Sequence, residues 1–220
     1  MTDEQPIPAQ SDLASVPTIS LWGAVAVVLV IAGIQLLLPE SVSLGPFWLI
    51  PAVEVLAAPA GLLILRAAGT PRRALRTMLD ASLAFLVFAS VCNALLLLLS
   101  LLNDSDENGQ QLLLAGFGVL IINVLSFGLI YWHLDGGGPR ARIRGEATNR
   151  DFLFPQQDKE PEWQPTLTDY LFTAYTNIIA FSPTDTMPLS HRVKFLFTVQ
   201  SSVSLVTILV TVSRAINLIS

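Results

Sequence analysis

Charge, cysteine and histidine are what this sequence has little of, and each shortage removes a class of function. Only 13% of the 220 residues are Asp, Glu, Lys or Arg, where a soluble domain carries nearer ~25%. With 52% hydrophobic residues beside them, the chain reads as an integral membrane protein. The one cysteine, Cys92, excludes an intrachain disulfide and a multi-cysteine metal centre. His133 and His191 have no evident companions as metal ligands. The sequence contains no HExxH, GxSxG or GxxxxGK pattern, so it is read as neither an enzyme nor a cofactor protein. Its basic residues form no nucleic-acid footprint. The net charge of -5 names no partner, because the acids sit mostly in the N-terminal tail, in Asp104 to Glu107 and in Gln156 to Glu162.

What is present is a series of long apolar runs. Met1 to Pro17 is polar, holds three prolines and no Lys or Arg, and is expected to be a disordered tail. Thr18 to Leu38 then supplies the ~20 apolar residues that a spanning helix needs, with Trp22 near one interface. Phe47 to Leu65 is a second span, kinked by Pro51 and Pro59 and carrying Glu54. An ionisable residue at that depth is either functional or part of a structural network. Arg66, Arg72, Arg73 and Arg76 follow and place their loop in the cytoplasm. Asp80 to Leu102 is a third span. The acidic loop Asn103 to Gln110 lies outside, and Leu112 to Trp132 is a fourth span whose small residues Gly116, Gly118 and Gly128 permit close helix contact.

Asp135-Gly-Gly-Gly-Pro139 reads as a helix stop. Arg140, Arg142, Arg144 and Arg150 put the next connection inside again, or hold anionic lipid headgroups. Phe152-Leu-Phe-Pro155 and Trp163 are apolar islands, expected on the membrane surface or over the cytoplasmic end of the bundle. Thr166 and Asp169 have the spacing of a helix N-terminus. The helix they open, Asp169 to Phe181, is too short to cross a bilayer, and the polar Ser182-Pro183-Thr184-Asp185-Thr186-Met187-Pro188 follows it at once. This arrangement predicts a re-entrant hairpin. Ser182, Thr184, Asp185 and Thr186 offer oxygen ligands suited to a hard cation; equally, Asp185 can be a turn residue bonded to nearby amides. Gln200, Ser204, Thr207, Thr211 and Arg214 recur on one face of the last helix, which should meet water or other helices. By depth, Arg214 and Glu54 both fall in the outer half and could pair.

Trp132-His-Leu-Asp-Gly-Gly-Gly-Pro139, Asp151-Phe-Leu-Phe-Pro155 and Ala180-Phe-Ser-Pro-Thr-Asp-Thr-Met-Pro188 resemble an uncharacterised family of bacterial multi-pass membrane proteins, a domain of unknown function. The resemblance covers roughly the second half and implies a location more than an activity. A weaker one links Asp169 through Thr176 to Asp185 and Pro188 with the pore region of two-helix potassium channels. Here Phe181-Ser182-Pro183-Thr184 stands where those channels carry Gly-Tyr-Gly. The resemblance therefore implies roles for Asp185 and Thr176 and not potassium selectivity.

The expected fold is an all-α integral membrane bundle of about five spans plus a short re-entrant, pore-like helix before the last span. The expected organisation is a tail to residue 17, a four-span bundle 18–132, a cytoplasmic linker 133–165 and a pore-like hairpin 166–220. The expected function is cation conduction or transport in the cell (inner) membrane, as a homo-oligomer passing a monovalent cation, with the N-terminus cytoplasmic. The alternative is a non-conducting accessory or assembly protein whose polar stripe packs helices.

Overall fold

The computed structural model describes residues 18–66, 72–102, 109–143, 145, 147, 149–160, 163–180 and 185–219. The tail 1–17, most of both inter-helix loops, Arg144, Ser182 and Thr184 lie outside the described residues, as do the side chains of Arg66, Arg72, Arg73, Arg76 and Arg140. The chain is mostly helical: α1 (Thr18–Gln35), α2 (Leu49–Arg66), α3 (Arg72–Leu102), α4 (Gly109–Leu134), the short α5 (Pro139–Ile143), β1 (Phe152–Leu153), α6 (Gln156–Lys159), α7 (Leu167–Ile179), β2 (Met187–Pro188) and α8 (His191–Ile219). Three stretches, Thr77–Leu101, Gln110–Gly137 and His191–Ile216, are long and apolar enough to cross a membrane. Trp22–Gln35 is a shorter apolar stretch. Large apolar side chains such as Leu114, Phe117, Phe88, Leu209 and Leu37 stand exposed along the helices. In a bilayer this surface needs no further cover.

Contacts at each end of the bundle fix the directions of α1, α3, α4 and α8. At one end His133, near the end of α4, meets Asp80, near the start of α3, at 2.6 Å. The Leu134 carbonyl there accepts a hydrogen bond from Arg192 at the start of α8. At the other end Ser100 of α3 donates to the Ser41 carbonyl in the turn after α1, and Gly118 of α4 lies against Ile34 and Leu38. Helices α1, α3 and α8 therefore run one way, and α4 runs against them.

The core sits around α4, which packs on α1, α3, α7 and α8. Glycines let two of these contacts close tightly. A methyl group added at Gly116 would overlap the Thr211 hydroxyl, and one at Gly128 would lie 2.6 Å from a Leu171 methyl. Pro51 falls in the first turn of α2, where its missing N–H would have been unpaired in any case.

Helix α7 opens with a reciprocal cap, since Asp169 accepts hydrogen bonds from the Thr166 amide and hydroxyl, both at 2.7 Å. Tyr170, one residue later, reaches Asp135 at the end of α4. After α7 the chain comes back to the same end: Thr186 pairs with Thr173 at 3.2 Å, and β2 lies antiparallel to β1 with Phe152 opposite Pro188. Both ends of segment 167–188 therefore stand beside the C-terminal end of α4.

Candidate functional site

Two groups of buried polar residues draw the motifs of the second half together. The first is a knot at the end of α4. The turn after α4 is possible because Gly136, Gly137 and Gly138 have φ of 59°, 84° and 99°, a region that side-chain-bearing residues rarely adopt. The glycines aim Asp135 inward, where it is 1% exposed. One carboxylate oxygen accepts from the amides of Asp151 and Phe152 at 2.7 and 3.2 Å, and the other from the Tyr170 hydroxyl at 2.5 Å. Arg142, also buried, donates to the carbonyls of Trp132 and Asp135. Its guanidinium stands 3.9 Å from the Asp135 carboxylate and 5.2 Å from the centre of the Tyr170 ring.

Asp151 extends the knot to α8. Its carboxylate receives both the Nε and an Nη of Arg192, and its carbonyl accepts from the Leu189 amide. Phe152 then enters the bundle and meets Tyr131, Phe154, Tyr170 and Phe197 at ring separations of 5.4 to 6.1 Å, mostly in edge-on or tilted geometry. Trp163 covers Phe154. The apolar islands of the linker thus close one end of the bundle. Asp135 is more than part of a helix stop: it is the acceptor that joins linker and α7 to α4.

Burial alone would push the Asp151 carboxyl up. Hydrogen bonds from Arg192 and Ser190, the Arg192 charge and the Gly136 amide outweigh burial and hold it below its ordinary value. A carboxyl so held stabilises the fold above its unfolded value of about 3.9, and the contribution disappears as pH falls through the folded value. Acidification below about pH 4 is therefore expected to loosen the Asp151–Arg192 clasp, while the range from about pH 5 to 8 leaves it intact. Tryptophan emission, with Trp163 packed on Phe154 in the segment that Asp151 anchors, should report a transition that Asp151→Asn removes; an unchanged acid profile in that variant would refute the assignment.

The second group is the stripe on α8. Gln200, 0% exposed, has both amide atoms occupied. Its oxygen accepts from the Tyr131 hydroxyl and the Asn177 amide, each at 2.8 Å, and its nitrogen donates to the Ala174 carbonyl at 3.1 Å. Asn177 also donates to the Phe197 carbonyl and accepts from Ser201. Ser204 donates to Asn123 of α4 at 3.3 Å, and Thr207 to the Val203 carbonyl. Thr211 is buried against Gly116, its hydroxyl unpartnered. Gln200, Ser204, Thr207 and Thr211 therefore share a buried face of α8, which meets α7 and α4 at Gln200 and α4 at Ser204 and Thr211.

The remaining candidates are scattered. Thr176 bonds the Thr173 carbonyl on its own helix, Thr186 is buried against Thr173, and Asp185 is exposed. Glu54 is buried at the other end of the bundle and takes a hydrogen bond from Gln35. Arg214 is half-buried with its Nε unpartnered, and none of the ion pairs among the described residues joins it to Glu54. Sequence reasoning passed over Asp135, Asp151, Tyr170, Asn177 and Arg192 as functional residues. The available signal was that Asp135 and Asp151 lie inside two of the three stretches that carry the family resemblance.

Among the described residues no group of three or more His, Cys, Asp or Glu side chains could hold a metal ion. No family model matches the chain, and no curated protein or solved structure matches it either.

Proposed function

We propose that this chain is a non-conducting accessory or assembly protein of the cell membrane, with five spans, a cytoplasmic N-terminus and segment 167–188 re-entering from the cytoplasmic side. One observation carries the functional reading: every stripe residue from Gln200 to Thr211 is buried, and the amide oxygen and nitrogen of Gln200 are both engaged by α4 and α7. An amide oxygen that already accepts two hydrogen bonds fixes helix positions and has no lone pair left for a cation. The topology is supported by the return of segment 167–188 to the end of the bundle where α7 starts. It is also supported by the arginines, which flank that same end. On this reading the capped end is a rigid cytoplasmic surface on which another protein assembles.

The second reading, conduction of a monovalent cation by a homo-oligomer, draws on the exposed Asp185, which several copies could bring together around an axis. Purified protein in liposomes separates the two. Sodium and potassium flux should equal that of empty liposomes, in wild type and in Asp185→Asn alike. Flux above that background that Asp185→Asn abolishes overturns the accessory reading. A reporter fused at Ser220 checks the topology independently and should lie outside.

A further inference from the structure

Helix α7 covers only half of the face of α4 on which it lies. Leu114, Phe117 and Ile121 recur at spacings of three and four, which places them on one face of α4, and they are 70%, 57% and 49% exposed. The same face continues to Gly128, seven residues further on, which is buried against Leu171 of α7. The uncovered part has walls. Gly118 lies against Ile34 of α1 and Leu38 of the turn after it, and Gly116 lies against Thr211 of α8. Helices α1 and α8 thus flank the stretch that α7 leaves free among the described residues.

The length of this slot decides what fits it. From Gln111 to Ile121 it runs about 15 Å at ~1.5 Å per residue, half of the ~30 Å of hydrocarbon in a bilayer. A spanning helix, from a partner or a second copy, needs the whole path and would meet α7 halfway. A lipid of one leaflet needs only this half.

The α1 side of the slot is a groove of about 650 Å³ with Ile34, Leu37 and Glu40 on one wall and Gln111, Leu114 and Gly118 on the other. That lies within the ~300–1,000 Å³ of sites that take a small molecule. Glu40, in the turn after α1, and Gln111, in the first turn of α4, stand exposed at its mouth. The charge there has one sign. Arg214, on α8 at this end, does not line the groove, and the connection from α3 to α4 adds Asp104, Asp106 and Glu107 and no base. A carboxylate selects a headgroup that brings a cation with N–H donors, and an amide beside it can donate to a phosphate.

We propose that this slot is a binding site for one phospholipid with a primary ammonium headgroup, taken from the leaflet at the end opposite the knot. The ammonium donates to Glu40, the phosphate accepts from Gln111, and an acyl chain lies over Gly118 and Leu114 down to the tip of α7. The lipid supplies in one leaflet the cover that α7 supplies in the other. The site rests on the bundle spanning a bilayer, whichever way it is oriented, and on neither functional reading above.

Native mass spectrometry and photolabelling of the full chain test this. The purified protein should hold one phosphatidylethanolamine about three- to fivefold more tightly than phosphatidylcholine or phosphatidylglycerol. Glu40→Gln, at an exposed position, should abolish that preference. Gly118→Leu should weaken all three lipids, because its side chain fills the groove. In phosphatidylcholine bilayers, a phosphatidylethanolamine with a photoreactive acyl chain should label residues 34–38 and 114–118 ahead of the exposed Leu209 and Val212, and Glu40→Gln should level the difference. If Gly118→Leu does not fold, wild type and Glu40→Gln still decide. Equal affinity for the three headgroups, or labelling as strong at Leu209 as in the groove, would overturn the proposal and leave only boundary lipid. A dimer whose contacts fall in the groove and exclude the lipid would overturn it in favour of a second copy. No labelling anywhere would sink the membrane reading itself, and the site with it.

Discussion

Asp135→Ala is expected to cost about 4 kcal/mol of stability, a large share of the ~5–15 kcal/mol that holds a domain folded. The variant removes the acceptor of the Asp151 and Phe152 amides and of the Tyr170 hydroxyl. Each buried donor left without a partner costs about 1–3 kcal/mol, and Arg142 loses its nearest carboxylate in the same step. Losses within one network do not add simply. Even one amide and the charge contact together reach the figure given. Asp135→Asn keeps one acceptor oxygen of the same shape, and its amide nitrogen can donate to the Tyr170 oxygen. It should therefore cost about half as much, because what it gives up is mainly charge assistance. Denaturant titration in mild detergent reads both variants. If Asp135→Ala stays within about 1 kcal/mol of wild type, the knot is not what binds linker and α7 to α4, since surface substitutions cost about that or less.

How much of this fold is legible in its sequence depends on how far away a residue's partners lie. Helix positions were legible because apolar runs are local, and so was the Thr166–Asp169 cap, whose partners are three residues apart. The glycine turn was legible as a stop for the same reason. What was not legible is where its aspartate points, because the donors come from 16, 17 and 35 residues further along. No spacing rule encodes a contact of that range.

The stripe on α8 shows a different limit. Its four-and-three spacing placed Gln200, Ser204, Thr207 and Thr211 on one face, and the structure buries that face. Periodicity, however, is the same whether a polar face meets water or other helices. The deciding residues, Tyr131, Asn177 and Asn123, lie on other elements. Gln35 was overlooked for a plainer reason. As the last residue of α1 it looks like an ordinary polar terminus, and only the return of α2 brings Glu54 to it.

Gly128→Ala should displace α7 and so test whether the hairpin is seated by shape or by its hydrogen bonds alone. The added carbon would lie 2.6 Å from a Leu171 methyl and 3.1 Å from the Leu171 backbone. Rotating Leu171 relieves the first clash but not the second, so the α7 backbone has to give by a few tenths of an ångström. Overpacking of this kind costs about 1–3 kcal/mol. The consequence reaches further, because Ala174 and Asn177 of the displaced helix are partners of Gln200, and a shift of α7 leaves that buried amide underbonded. The expected total is about 3 kcal/mol or more, with each lost buried hydrogen bond adding about 1 kcal/mol. Leu171→Ala in the same chain removes the clash with the methyl and should return part of the loss, while the clash with the backbone keeps the double variant below Leu171→Ala alone. Gly116→Ala supplies the control. Its close neighbours are all side-chain atoms of Thr211 on α8, so Thr211→Ala, which removes the two nearest of them and leaves Cβ at 3.1 Å, should rescue it in part, and α7 should stay in place. Thiol accessibility of a cysteine placed at Asn177, in a Cys92→Ala background, reports the seating directly. It should rise with Gly128→Ala and not with Gly116→Ala. Equal accessibility in both would mean that hydrogen bonds alone hold α7 and that its close approach to α4 at Gly128 is incidental.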